Sequence, residues 1–129
     1  MSIKCGNKRV RGADGRWYDS VKEMQRSVYL QALERAGYIT NLQFQVKYVL
    51  IPEKREPDTI GKRGGVKKGK LIEKECYYVA DFVYFDAKTG EMIVEDAKGH
   101  RDPKSATYAK YTIKRKLMLH VYGIRILET

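Results

Sequence analysis

Tyr77-Tyr78-Val79-Ala80-Asp81-Phe82-Val83-Tyr84-Phe85, Asp86-Ala87-Lys88-Thr89-Gly90 and Glu91-Met92-Ile93-Val94-Glu95-Asp96-Ala97-Lys98 follow one another without a break. β-Branched and aromatic residues fill both faces of the outer two runs, and the Lys-Thr-Gly segment between them has turn chemistry. The stretch therefore predicts an antiparallel hairpin whose strands lie in the interior of a sheet. If Asp86 pairs with Glu91 across a four-residue loop, Asp81 falls opposite Asp96. Strand alternation then puts Lys98 on the face of Asp96 and turns Glu95 and Ala97 to the other. A glycine bulge in the turn would slip this pairing by one residue.

Directly opposed residues in such a pair hold their Cβ atoms about 4.5–5.5 Å apart, where like charges repel. Two carboxylates in otherwise apolar strands need a cation or a shared proton to relieve them. Magnesium suits the first need, because it takes one or two carboxylates and fills its remaining positions with water. The plainer alternative is a solvated sheet end in which Asp81 and Asp96 form an ordinary ion pair with Lys98. The acids interrupt hydrophobic runs and meet in register, which favours the metal site.

Outward from the hairpin, residues 1–16 read as a basic arm or a short strand, and the folded domain starts near Trp17. Val21, Met24, Val28, Ala32 and Ala36 recur at helical spacing, which predicts a helix with that face inward and Gly37 as its stop. Ser20-Val21-Lys22-Glu23 has the pattern of a capping box. On the wheel Glu23 lies away from the apolar stripe, beside Leu30, so spacing alone favours capping over a role beside Asp81 and Asp96. Leu42, Phe44, Val46, Tyr48 and Leu50 alternate and predict a strand over 41–52, with Gln43 and Gln45 on its opposite face. Those amides are either ordinary surface groups or partners of a metal-bound water. Residues 53–70 are charged and glycine-rich, which predicts a flexible protruding loop. Lys62, Arg63, Lys67, Lys68 and Lys70, with no acid among them, are candidate phosphate contacts.

Beyond Lys98, Asp102 and Pro103 suggest a helix start, and a helix is expected from about residue 104 to Tyr122, with Ala109, Ile113, Leu117 and Val121 inward. Lys110 and Lys114 on another face are further phosphate candidates. Gly123 closes the helix and Ile124–Leu127 reads as a final strand. Strand, helix, strand implies a right-handed crossover with parallel pairing to the second hairpin strand. The expected fold class is α/β, with a central mixed sheet flanked by helices.

The 129 residues suffice for one domain that buries about two thirds of its unfolded surface. A net charge of +10 and a pI near 9.6 favour a polyanion partner, nucleic acid before lipid. No apolar run is long enough to span a bilayer, so no membrane partner and a cytoplasmic location are expected. Cys5 and Cys76 have no metal-ligand spacing and read as reduced thiols.

The order helix with Ser20-x-x-Glu23, strand with Ala80-Asp81-Phe82, strand with Glu95-Asp96-Ala97-Lys98-Gly99, helix, strand resembles the PD-(D/E)XK nuclease superfamily over about residues 17–127. It looks most like the phage-encoded junction-resolving endonucleases and small phage proteins related to them. The resemblance implies a restriction-endonuclease-like αβββαβ core and a metal-dependent endonuclease of phage recombination or replication. Glu23, Asp81 and Asp96 would bind magnesium, with manganese as a substitute. Together with Lys98 they would be the catalytic residues, Lys98 orienting the nucleophile or neutralising the scissile phosphate. Branched DNA is the implied substrate, and a homodimer follows from cutting a junction symmetrically. Ala80 stands where many members have proline, and Asp96 where glutamate is commoner. A nicking or end-processing nuclease is the nearest alternative. A non-catalytic DNA- or RNA-binding module using only the basic residues is the alternative of another class. His100 and His120 read as bystanders.

Overall fold

The computed structural model describes residues 9–97 and 102–129. The decisive turn closes where the sequence places it. The Asp86 N–H donates to the Glu91 carbonyl at 2.9 Å, and the Asp86 carboxylate accepts from the Lys88 and Thr89 N–H groups at 2.8 and 2.9 Å. Gly90 supplies the left-handed φ of 75° that this turn requires. Phe85 then pairs with Met92, Tyr84 with Ile93, Val83 with Val94 and Phe82 with Glu95. This is the unslipped register, and one step further along it Asp81 reaches Asp96.

In chain order the elements are β1 (Val10–Arg11), β2 (Trp17–Tyr18), α1 (Val21–Arg35), β3 (Ile39–Ile51), β4 (Lys54–Arg55), β5 (Thr59–Ile60), β6 (Val66–Lys67), β7 (Leu71–Glu73), β8 (Cys76–Asp86), β9 (Met92–Asp96), α2 (Ala106–Tyr122) and β10 (Leu127–Glu128). The central sheet runs β10-β9-β8-β3. β3 and β9 flank β8 antiparallel, while β10 joins β9 in parallel through Leu127–Glu95 and Glu128–Asp96. The chain is thus a mixed α/β domain with a four-stranded mixed sheet and two helices. No helix among the described residues is long and apolar enough to cross a membrane.

Two apolar clusters cover the sheet. Leu50, Tyr78, Ala80, Val83 and Val94 meet Tyr111 and Met118 of α2, while Ile39, Phe82, Tyr84 and Ala97 meet Leu30 of α1. Full burial of side chains such as Phe82, Leu30 and Met118 stabilises the fold by roughly 1.5–3 kcal/mol each.

Both helices are rotated from the faces that periodicity predicts. In α1 the buried residues are Glu23, Ser27 and Leu30, whereas Val21 and Val28 are exposed. Polar anchors set the rotation: Ser27 shares a 2.7 Å hydrogen bond with the Tyr18 hydroxyl, and Arg26 bonds Glu95. In α2 Tyr111 and Met118 face inward, while Ala109, Ile113 and Val121 are exposed and Leu117 is half-buried. The start of α2 is also later than Asp102 and Pro103 suggest. Ser105 is its cap, accepting from the Tyr108 N–H at 3.0 Å, and Asp102 caps a preceding turn through Lys104. The last strand is displaced as well, from Ile124–Leu127 to Leu127–Glu128.

Within the N-terminal segment, Val10–Arg11 is a short strand that pairs with Trp17–Tyr18 as a β1–β2 hairpin against α1. The basic loop is a ribbon of two short antiparallel pairs, β4 with β7 and β5 with β6. Apolar burial is indeed lacking there, but backbone bonds replace it. Glu56 N–H donates to the Lys70 carbonyl at 2.9 Å, Arg55 Nη1 to the Gly69 carbonyl at 3.0 Å, and Gly69 N–H to Asp58 at 2.8 Å. A Cβ on Gly69 would stand 1.7 Å from the Glu56 carbonyl oxygen, so the ribbon closes only around glycine.

Candidate active site

Leu42, Phe44, Val46 and Tyr48 of β3 share one parity, so a uniform strand would turn them all to one face. They do not lie on one face. Leu42 and Phe44 pack with Phe82 and Tyr84 on the α1 side, while Val46 and Tyr48 pack with Tyr78 and Ala80 on the α2 side. The changeover falls between the Phe44–Phe82 and Val46–Ala80 pairs, at Gln45 and Asp81. Gln45 has φ of 53°, a left-handed conformation that costs a non-glycine residue on the order of 1–2 kcal/mol. Strain of this kind collects at functional sites, where the rest of the fold enforces it.

The Gln45 amide holds together what the changeover brings close. Its Nε2 lies 3.1 Å from Glu23 Oε1 and 3.5 Å from Asp81 Oδ1, so one amide group spans the two carboxylates. Glu23 is 3 % exposed in the first turn of α1, where Ser20 Oγ accepts its N–H at 3.1 Å. The backbone of Glu23 serves the cap, while its carboxylate accepts from Gln45 of the sheet. Asp81 Oδ2 accepts the Ala97 N–H at 2.8 Å, which puts its carboxylate against the peptide that follows Asp96.

Asp96, 3 % exposed, accepts from the Tyr78 hydroxyl at 2.6 Å on the α2 side. Burial first, and then the Asp96 charge, push the Tyr78 pKa far above the usual tyrosine range, with Tyr111 and Asp81 adding to it. Tyr78 consequently stays protonated and remains a donor to Asp96. Glu95 points the opposite way, as alternation requires. It is 0 % exposed and accepts from Arg26 Nε at 2.7 Å, Arg26 Nη2 at 2.8 Å and the Tyr84 hydroxyl at 2.8 Å. Asp96, not Glu95, therefore falls opposite Asp81 in the register of the pair, one step beyond Phe82–Glu95.

Glu23, Asp81 and Asp96 offer hard oxygen donors, the kind magnesium takes. Among the described residues, no group of three or more His, Cys, Asp or Glu side chains is arranged to hold a metal ion. The donor chemistry fits an ion held by one or two of these carboxylates with water completing its shell. Lys98 and His100 lie outside the described residues. Of the residues that sequence reasoning left ambiguous, Gln45 is the one the fold places at the centre. The alternation of β3 carried no signal of this, because Gln43, Gln45 and Lys47 share one parity and the apolar residues the other, as in any strand with one solvated face.

Lys62, Arg63, Lys67, Lys68 and Lys70 are exposed on the ribbon, and Lys110 is exposed on α2. Lys114 sits over the Tyr77 ring at 5.5 Å, with Lys47 over the same ring at 4.7 Å.

No curated protein and no solved structure matches the chain. A family model described as "Protein of unknown function (DUF1064)" matches residues 2–125. That span takes in both helices, the ribbon and every candidate acid, and the chain belongs to the DUF1064 family.

Proposed function

We propose that this chain is a divalent-metal-dependent DNA endonuclease on a restriction-endonuclease-like core, hydrolysing phosphodiester bonds and preferring branched DNA. The observation that carries the reading is the inward Glu23, joined to Asp81 by the strained Gln45, with Asp96 opposite Asp81 one step beyond the Phe82–Glu95 pair. A helix that turns an acid and a serine inward and leaves two valines in water gives up apolar burial, and charge chemistry is a reason to do so.

One or two of Asp81, Asp96 and Glu23 would hold the metal, with water completing its shell. An ion held there would supply an activated water and offset charge developing on the phosphate oxygens. Gln45 orients the Glu23 and Asp81 carboxylates, and Tyr78 fixes that of Asp96. Lys98 neutralises the scissile phosphate or orients the nucleophile as a compact charge. The exposed lysines and arginines of the ribbon, with Lys110 and Lys114, bind flanking phosphates. A homodimer supplies the two active sites that symmetric cutting needs.

Purified protein is incubated with linear, nicked, flapped and four-way DNA, with magnesium, with manganese and with chelator. Metal-dependent cuts concentrated on four-way DNA are expected, and are lost in Lys98→Ala. Equal cutting of all four DNAs would leave a nuclease without junction preference. Metal-independent binding without cuts would instead make the chain a non-catalytic binding module. Gln45→Gly keeps the left-handed backbone while removing the amide. It is expected to slow cleavage about 10–100-fold, the usual cost of losing a group that orients metal-binding side chains, with DNA affinity in chelator unchanged.

A further inference from the structure

Ile60 is 81 % exposed and Val66 77 %, the two most exposed large apolar side chains among the described residues. They are also direct cross-strand partners, Ile60 opposite Val66 at the end of the β5–β6 pair. The Gly61–Gly65 turn closes just beyond them, Gly61 N–H donating to the Gly65 carbonyl at 2.7 Å. Lys62, Arg63, Lys67 and Lys68 flank the pair in sequence, and no acid occurs between Ile60 and Lys70. An adjacent β-branched pair in water at the tip of a ribbon does nothing for the domain core. Charge complementarity indicates what covers it, because exposed cations on either side of a small apolar wedge match phosphates on either side of a base stack.

We propose that the ribbon tip is a wedge that enters DNA at an interruption in base stacking, such as a nick or branch point. Ile60 and Val66 replace the lost base contact while Lys62, Arg63, Lys67 and Lys68 bind the phosphates on either side. Small apolar side chains inserted between base steps are an established means of unstacking and bending a duplex. A two-stranded ribbon is slim enough to enter a major groove about 12 Å wide. The wedge deepens the proposed function, resting on DNA as the partner but not on cleavage, and it assigns the recognition of broken or branched stacking to residues remote from the acids.

The test uses the full chain in chelator, so that no cutting occurs, with duplexes carrying 2-aminopurine beside a nick, at a four-way branch point or within a continuous helix. Wild-type protein is expected to raise 2-aminopurine fluorescence severalfold at the nick and branch point and little in the continuous helix. In Ile60→Ser/Val66→Ser that rise should disappear, and affinity for interrupted DNA should fall about tenfold, the scale of two partly buried side chains, with affinity for continuous duplex unchanged. Lys67→Ala/Lys68→Ala should weaken binding to all three DNAs and flatten its salt dependence. The double serine variant alters only exposed positions, and an unchanged circular dichroism melt verifies its fold. Identical fluorescence and affinity in the serine variant would overturn the wedge, as would Ile60- and Val66-dependent sedimentation with anionic vesicles in place of DNA unstacking. The two readings separate cleanly: unstacking with no cleavage in magnesium or manganese sinks the nuclease and keeps the wedge, and cleavage with an indifferent serine variant does the reverse.

Discussion

Asp96→Asn should lower magnesium-dependent cleavage by at least on the order of 10²–10³-fold, the scale seen when one charge-stabilising group is removed from a reacting phosphate or acyl centre. The loss should come without unfolding. Asparagine preserves the volume of Asp96 and an oxygen that can accept from Tyr78 at the observed 2.6 Å. A thermal midpoint within about 4 °C of the parent is therefore expected, since a 1 kcal/mol change moves a domain of this size by about that much. Asp81→Asn should behave likewise, retaining an acceptor for the Ala97 N–H. Glu95→Gln is the control one residue away. It lies on the opposite face, bonded to Arg26 and Tyr84, and should affect stability far more than it affects the cleavage rate of the folded fraction. The measurement is single-turnover cleavage beside a calorimetric melt for each variant. Equal cleavage by Asp96→Asn and the parent would remove Asp96 from the metal site and with it the proposed chemistry.

The contrast between neighbouring residues 95 and 96 also indicates what the sequence could and could not reveal. The hairpin was legible because its information is local: Asp86 and Gly90 build the turn, and a turn of fixed length sets every pair above it. The side-chain faces of β9 followed directly. The helices were not legible in the same way. Val21, Met24 and Val28 make a good apolar stripe, yet the ion pair at Arg26, the hydroxyl contact at Ser27 and the amide at Glu23 turn the helix away from it. Each of those partners lies in another element, and a hydrophobic wheel gives polar anchors no weight. Gln45 hid for a related reason. A single left-handed residue flips the faces of a strand without disturbing its alternation, so the run from Leu42 to Leu50 reads as one face when it serves two. The ribbon shows the reverse error, in which composition poor in apolar residues suggested a loop although hydrogen bonds from the Arg55 side chain and to the Asp58 side chain at Gly69 help to pair it.

Arg26→Ala should cost the protein about 3–5 kcal/mol, because it strands a carboxylate that the fold buries completely. Glu95 is 0 % exposed, and the Arg26 guanidinium meets it two-pronged, Nε at 2.7 Å and Nη2 at 2.8 Å. The Glu95 hydrogen bond is the main reason that the Arg26 pKa rises above its already high value, so the guanidinium charge is permanent. Tyr84 donates a further bond at 2.8 Å, but a neutral hydroxyl cannot replace the cation. Lysine at position 26 should recover only part of the loss, since a point charge cannot reproduce the fork. An apolar exchange of both partners, Arg26→Met with Glu95→Leu, should restore most of the stability, because removing both charges removes the desolvation cost along with the attraction. Denaturant unfolding of the four proteins checks the series. Cleavage by the double variant then separates packing from positioning. Arg26 lies one helical turn from Glu23, and Glu95 adjoins Asp96, so the pair fixes α1 against β9 at the level of the candidate site. If that registration matters to the chemistry, the refolded double variant should keep its melt but cleave about 10–100-fold more slowly, as when the groups that orient a metal site are lost. A double variant as active as the parent would reduce the ion pair to a device for stability alone.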